Sequence, residues 1–169
     1  TRYKINPPFL LFGNSLGGLI ATACDRENST LVSKLILSSP LFGIPHERVL
    51  RGLVNVLDSL TPSLVVKNPI KPPFLTHDPE EVEKYRKDPL IQRRITVRLV
   101  HEMLRYTSLF REEDVSLPFP VYILMAEQEF VVDPESTRDF FLRLQASDKE
   151  LEAFPGYFLR GKSRFWKLV

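Results

Sequence analysis

The chain of 169 residues has a single cysteine, no long apolar run and no excess of one charge. One cysteine, Cys24, cannot close an internal disulfide, which excludes a disulfide-stapled secreted scaffold. No apolar run approaches the length that crosses a bilayer. The charges nearly balance at +2 without a basic stripe, so nucleic acid is not an expected partner.

Clusters of histidine, cysteine and carboxylate residues with metal-ligand spacing are also lacking. We therefore expect neither a metal nor another cofactor. The length predicts one domain that can bury a real core. We expect an intracellular protein, either cytoplasmic or peripheral to a membrane.

A strand, a sharp turn and a helix are predicted around Ser15. Phe9–Phe12 is a short apolar run typical of a buried strand, and it is followed by Gly13-x-Ser15-x-Gly17. Apolar residues then recur at helical spacing: Leu16, Leu19, Ile20 and Ala23. This is the context of a nucleophile elbow, with Ser15 beside a helix N-terminus whose N–H groups favour an anion. The alternative is a glycine-rich turn in which Ser15 only caps the helix.

The two glycines of this motif have a predicted steric role. We expect a side chain at either Gly13 or Gly17 to collide with the neighbouring backbone where the chain reverses.

Further strands are predicted at 34–39, 121–126 and 149–154, and a helix after Asp133-Pro134. Strand, helix and strand within about thirty residues indicate a βαβ unit with parallel strands. The fold class is therefore α/β. Between Gly43 and Pro118 we predict helices but no strand, including one over 49–60 and a long one that begins at Asp88-Pro89. Such an insertion beside a sheet is typical of a lid.

Several motifs together resemble the α/β-hydrolases of the monoacylglycerol lipase and lysophospholipase group, which is similar to the serine aminopeptidases. They are Leu11-Phe12-Gly13-Asn14-Ser15-Leu16-Gly17-Gly18, Leu37-Ser38-Ser39-Pro40, Lys87-Asp88-Pro89-Leu90, Val131-Val132-Asp133-Pro134, and Lys149-Glu150-Leu151 with Phe154-Pro155-Gly156. The resemblance implies a partial α/β-hydrolase domain over 1–158, a parallel sheet of about four strands, and a helical lid insertion at about 44–117. Residues 159–169 form a divergent tail. Because the chain starts at Thr1 and supplies only the second half of that fold, we expect it to be a piece of a longer protein.

The resemblance also implies the site. Ser15 matches the nucleophile, and the backbone N–H of Leu16 matches one donor of the oxyanion hole. Glu129 stands where the family usually has the aspartate of the triad, and glutamate can serve as the acid. Asp133 is the rival, although its place before a proline favours a helix N-cap. In the lid, Leu53 or Leu57 is expected to line, or to lie close to, an apolar cavity that opens toward Ser15.

The histidine of the triad is missing from the matching position. The family pattern places it near residue 159, which is leucine here. His46, His77 and His101 do not follow the order serine, acid, histidine, and each is expected to be an ordinary solvated side chain. Two hypotheses follow. The first is a serine hydrolase of acylglycerol or lysophospholipid esters with transient membrane contact. The second is a non-catalytic fragment or pseudoenzyme that binds an acyl ligand or a protein partner.

The missing first half has a physical consequence for Phe9–Phe12. Without preceding strands this segment becomes an uncharged edge strand, and bare edges recruit other chains. We expect the isolated chain to be unstable, to self-associate, or to need a partner that supplies the first half of the fold.

Overall fold

The computed structural model describes residues 7–28, 31–76 and 78–155. Its main sheet contains β1 (Phe9–Asn14), β2 (Val32–Ser38), β6 (Val121–Ala126) and β8 (Lys149–Phe154). The strands lie in the order β1-β2-β6-β8, and all three pairings are parallel. The predicted α/β class and the parallel sheet of four strands are thus confirmed.

Helices α1 (Leu16–Asn28) and α5 (Pro134–Arg143) connect strands of this sheet. The long connection after β2 contains α2 (Glu47–Leu60), β3 (Val65–Lys67), α3 (Pro79–Lys87), β4 (Arg94–Thr96) and α4 (Val97–Glu112). A short 3₁₀ turn spans Pro72–Phe74, and β5 (Ser116–Leu117) pairs with β7 (Gln145–Ala146) in a small parallel ladder. No helix in the described ranges is both long and apolar enough to span a membrane.

The core lies on the two central strands of the sheet. Leu35 and Leu37 of β2 and Ile123 of β6 are fully buried on one face of the sheet. Phe42, Phe110 and Phe140 pack against them, and the rings of Phe42 and Phe140 stack with centroids 3.9 Å apart. A second, smaller cluster of Val54, Val97 and Leu104 joins α2 to α4. The long connection therefore has a packing unit of its own.

The helix prediction at Asp88-Pro89 is wrong. Asp88 ends α3, and its side chain accepts a hydrogen bond from the N–H of Leu90 at 2.8 Å, which satisfies the cap in a local turn. The long helix α4 begins eight residues later, where the Thr96 side chain accepts from the N–H of Leu99. Residues 94–96 are held instead in an antiparallel pair with β3, a short strand pair that the prediction missed.

Candidate active site

Ser15 lies at a sharp turn between β1 and α1. Its φ of 52° is in the left-handed region, which non-glycine residues adopt only where surrounding structure enforces it. Two backbone hydrogen bonds do so, because the N–H of Ser15 donates to the carbonyl of Ser38 at 2.9 Å and its carbonyl accepts from the N–H of Leu41 at 3.0 Å. This is the geometry of the predicted elbow.

The hydroxyl of Ser15 makes no hydrogen bond within the described part of the chain. A helix N-cap has extended backbone and a side chain that accepts from the first turn. Ser15 has neither property, so the turn geometry favours the elbow over the capping alternative.

The glycines of the motif differ in their surroundings. A Cβ at Gly13 would lie 2.7 Å from both the carbonyl oxygen of Gly17 and the Cα of Gly18, distances that real Cβ atoms essentially never show. A Cβ at Gly17 would meet nothing within 4 Å, so the steric prediction is wrong for Gly17. The tight second position is Gly18, where a Cβ would lie 2.8 Å from that of Pro40. The close contact thus falls one residue later than the motif suggests.

The N–H of Leu16 is the candidate oxyanion donor. Leu16 is the first residue of α1, and N–H groups in a first helical turn have no intrahelical acceptor. This first turn is closed by the N–H groups of Gly18 and Leu19, which donate to the carbonyl of Ser15. A donor adjacent to the serine at the positive end of a helix suits a developing negative charge.

Glu129 lies in the loop after β6, at the carboxyl end of its strand. Ser15 follows the carboxyl end of β1 in the same sheet. The register aligns Asn14 with Ser38 and Ser38 with Leu124, so β1 and β6 end at the same edge with β2 between them. Glu129 is half-buried, and its Oε1 accepts from the N–H of Val131 at 3.2 Å. Its role as the acid of a triad stays a prediction.

Asp133 is engaged as the N-cap of α5. One carboxylate oxygen accepts from the N–H of Glu135, and the other accepts from the hydroxyl of Ser136 at 2.6 Å. The N–H of Asp133 also donates to the carbonyl of Gly43. These contacts agree with a structural role for Asp133 and leave Glu129 as the better candidate acid.

Neither of the two described histidines hydrogen-bonds the hydroxyl of Ser15. His46 is exposed and precedes α2 with a φ of 58°. His101 is not an ordinary solvated side chain, because its Nδ1 lies 3.7 Å from a carboxylate oxygen of the buried Asp58. Asp58 also pairs with Arg98 at 3.0 Å, so His101 belongs to a charge cluster between α2 and α4. His77 lies outside the described residues.

The two leucines of α2 that were expected to line an apolar cavity have different environments. Leu57 is half-buried against the cluster of Val54, Val97 and Leu104, whereas Leu53 is 59% exposed. An apolar groove of about 230 Å³ does begin beside the elbow, where it is bounded by Leu16 on α1 and by α4. Neither Leu53 nor Leu57 lines this groove, and their contact with a substrate stays a prediction.

Two polar features near the sheet edge were not anticipated from the sequence. Ser39 has a left-handed φ of 37°, donates its N–H to the carbonyl of Leu124 at 2.7 Å, and accepts from the N–H of Ala126 through its hydroxyl. These bonds tie the end of β2 to the end of β6. The motif Leu37-Ser38-Ser39-Pro40 was the available signal, but it carried no assigned role.

The second feature is Glu47, a buried carboxylate that joins α2 to α4. It accepts hydrogen bonds from Arg51, from the hydroxyl of Thr107 at 2.9 Å and from Arg111 at 2.5 Å. Burial pushes the pKa of Glu47 upward, but these three donors outweigh it, so its pKa lies below the ordinary value. Glu47 is therefore ionised at neutral pH and fixes α2 to α4.

The elbow, the parallel sheet and the order of its strands define an α/β-hydrolase. A family model described as serine aminopeptidase, S33, matches residues 1–158, and the chain belongs to that family.

Curated relatives include a phospholipase, YtpA, of Bacillus subtilis, which is 25% identical over 155 residues. That match covers 89% of this chain and 60% of the relative. The monoglyceride lipase of Homo sapiens is 28% identical, and the match covers 88% of this chain and 50% of the relative. Among solved structures, the monoacylglycerol lipase of Paleococcus ferrophilus superposes with a TM-score of 0.85 at 26% identity. The superposition covers 94% of this chain and 64% of that structure. The chain therefore spans about half to two thirds of the length of these relatives. Its match to an abhydrolase domain-containing protein of Dictyostelium discoideum covers only 18% of that protein.

Proposed function

We propose that the chain carries the nucleophile-bearing part of a serine hydrolase that cleaves acyl esters of glycerol, either acylglycerols or lysophospholipids. The observation that carries the proposal is the enforced left-handed conformation of Ser15 between β1 and α1. The names of the relatives, which include monoglyceride lipases and a phospholipase, support the substrate class.

In this reaction Ser15 Oγ forms a bond to the acyl carbon and the ester C–O bond breaks. The proton of the serine passes to a base and then to the departing alcohol. The carbonyl oxygen carries negative charge in between, and the N–H of Leu16 supplies one hydrogen bond to it. Water then releases the fatty acid and regenerates the serine. Glu129 would orient the protonated base.

Leucine at 159 favours a second candidate function. Residue 159, where the family pattern places the histidine, is leucine, so this position offers Ser15 no base. Without it the transfer of an acyl group to Ser15 is slow. We propose as the alternative that this chain is a non-catalytic form, which binds an acyl ligand or a protein partner rather than turning substrate over.

A fluorophosphonate probe separates the two functions, because it reacts covalently only with an activated serine. We expect weak labelling of the chain, and none after Ser15→Ala. Ser136→Ala is the matched control, since Ser136 is a hydroxyl outside the elbow that hydrogen-bonds Asp133. Rapid stoichiometric labelling that Ser15→Ala abolishes would establish the hydrolase and refute the non-catalytic form. Labelling that survives Ser15→Ala would refute Ser15 as the nucleophile.

A further inference from the structure

A cleft on the long connection lies between the segment after β3, the end of α3 and the segment before β4. Its volume is about 480 Å³, within the range of small-molecule sites. Four basic side chains are among the residues that line it: Lys67, Lys71, Arg86 and Arg93. No aspartate or glutamate is among the described residues that line it.

These cations have few competing partners. Within the described ranges, Lys67, Lys71 and Arg93 form no ion pair. Arg86 has only a long contact of 3.8 Å with Glu83. Asp88 follows α3, but one of its carboxylate oxygens accepts from the N–H of Leu90. The cleft therefore concentrates positive charge that the described residues leave largely unpaired.

The walls of the cleft are held in place by hydrogen bonds. One nitrogen of the Arg93 guanidinium donates to the carbonyls of Tyr85 at 3.3 Å and Arg86 at 2.6 Å. The N–H of Asn68 donates to the carbonyl of Arg93 at 2.9 Å, and the Asn68 side-chain oxygen accepts from Ile70. The remaining guanidinium N–H groups of Arg93, the amide NH₂ of Asn68 and the hydroxyl of Tyr85 are left as donors.

We propose that this cleft binds the phosphate group of a phosphate ester. Arginine presents a planar fork that matches phosphate oxygens, and lysine adds a point charge, so the donor set suits this anion. The volume leaves room for the organic part of an ester beside the phosphate. The same chemistry occurs in a soluble phosphate ester and in a phospholipid headgroup. This site is independent of Ser15 and of the proposed hydrolase function.

Titration calorimetry on the full chain tests the site, with glycerol 3-phosphate as ligand and glycerol as the ligand that lacks only the phosphate. We expect heat of binding for the first and none for the second. Lys67→Gln/Lys71→Gln should weaken binding by about tenfold or more, equivalent to about 1.4 kcal/mol. Both lysines are exposed, and the far-ultraviolet circular dichroism and melting of the variant should match those of the parent.

The matched control is Lys84→Gln/Lys87→Gln, which removes the same charge from the exposed face of α3, outside the cleft. It should retain affinity within about twofold, and Lys67→Arg/Lys71→Arg should restore binding. Equal losses in the cleft and control variants would show diffuse charge attraction and overturn the proposal.

Cosedimentation distinguishes the two sources of phosphate. The vesicles are phosphatidylcholine alone, and phosphatidylcholine mixed equally with phosphatidic acid. Binding to the mixed vesicles that Lys67→Gln/Lys71→Gln abolishes assigns the cleft to a lipid headgroup. Binding of glycerol 3-phosphate without vesicle binding assigns it to a soluble ester. Binding of neither ligand overturns the proposal.

Discussion

Replacing Gly13 by alanine should destabilise the fold far more than replacing Gly17 by alanine, although both belong to the same motif. At Gly13 the added methyl group would lie 2.7 Å from backbone atoms of Gly17 and Gly18. Backbone atoms cannot rotate away as a side chain does, so β1 or the start of α1 must shift. At Gly17 the methyl group meets nothing within 4 Å.

The magnitudes follow from these surroundings. Forcing a methyl group into a packed region costs typically 1–3 kcal/mol, and a clash with two backbone positions places Gly13→Ala at about 3 kcal/mol or more. Gly17 lies in the first turn of α1, where alanine is the better helix former. Gly17→Ala should therefore be neutral or stabilising by up to about 1 kcal/mol.

Urea denaturation followed by circular dichroism measures both effects. With a dependence of about 1–3 kcal/mol per molar urea, Gly13→Ala should lower the midpoint by about 1–3 M, and Gly17→Ala should leave it unchanged or raise it. Gly18→Ala is an informative third variant, since its methyl group would lie 2.8 Å from the Cβ of Pro40. Equal losses at Gly13 and Gly17 would refute the steric reasoning, because they would show that the turn needs glycine at both positions for another cause.

Three further outcomes are expected. Because the pKa of Glu47 is lowered, ionised Glu47 stabilises the fold at pH values above the ordinary carboxyl pKa of 4.5, and this stabilisation is lost as the pH falls. Glu47→Gln should therefore destabilise the chain by about 1–3 kcal/mol at pH 7 and flatten the pH dependence of its free energy of unfolding. An unchanged pH profile would contradict this. Leu159→His should raise the rate of fluorophosphonate labelling of Ser15 by about tenfold or more, whereas the control Leu159→Gln should leave that rate unchanged. If Leu159→His gives no increase, the chain lacks more than the base. Size-exclusion light scattering should find self-association, because β1 is an edge strand whose own Leu10 is exposed. A clean monomer with a cooperative melt above about 45 °C would contradict this.

The sheet was predictable because the composition of each strand segment indicates a strand. Runs such as Val121–Ala126 are short, apolar and bounded by polar or proline residues, and their parallel order follows from the intervening helices. The long connection after β2 was less predictable. Asp88-Pro89 has the local signature of a helix start. Residues Arg94–Thr96 pair with β3 instead, so α4 begins only at Val97, with Thr96 as its N-cap. Pairing with a distant segment overrides a local signal, and a single sequence does not reveal it.

The candidate site divides in the same way. Ser15 and the cap role of Asp133 follow from local patterns, and the structure agrees with both. The links made by Ser39 and Glu47 depend on residues 87 and 60 or more positions away in the chain, so no local spacing indicates them. His101 was misread for the same reason, because its polar helix face meets the buried Asp58 of another helix.

The segments that a serine triad needs all follow the carboxyl ends of parallel strands, on the same side of the sheet. Ser15 follows β1, Glu129 follows β6, and Phe154 ends β8 opposite Ala126, so the chain passes that side a third time. Strand register fixes this convergence, and it does not depend on which side chains occupy the loops. The identity of residue 159 bears on the chemistry that the family pattern assigns to that position. A leucine there has no lone pair to accept the proton of Ser15, whereas an imidazole would. Leu159→His therefore tests proton transfer in a chain whose strand order is already that of the α/β-hydrolase fold.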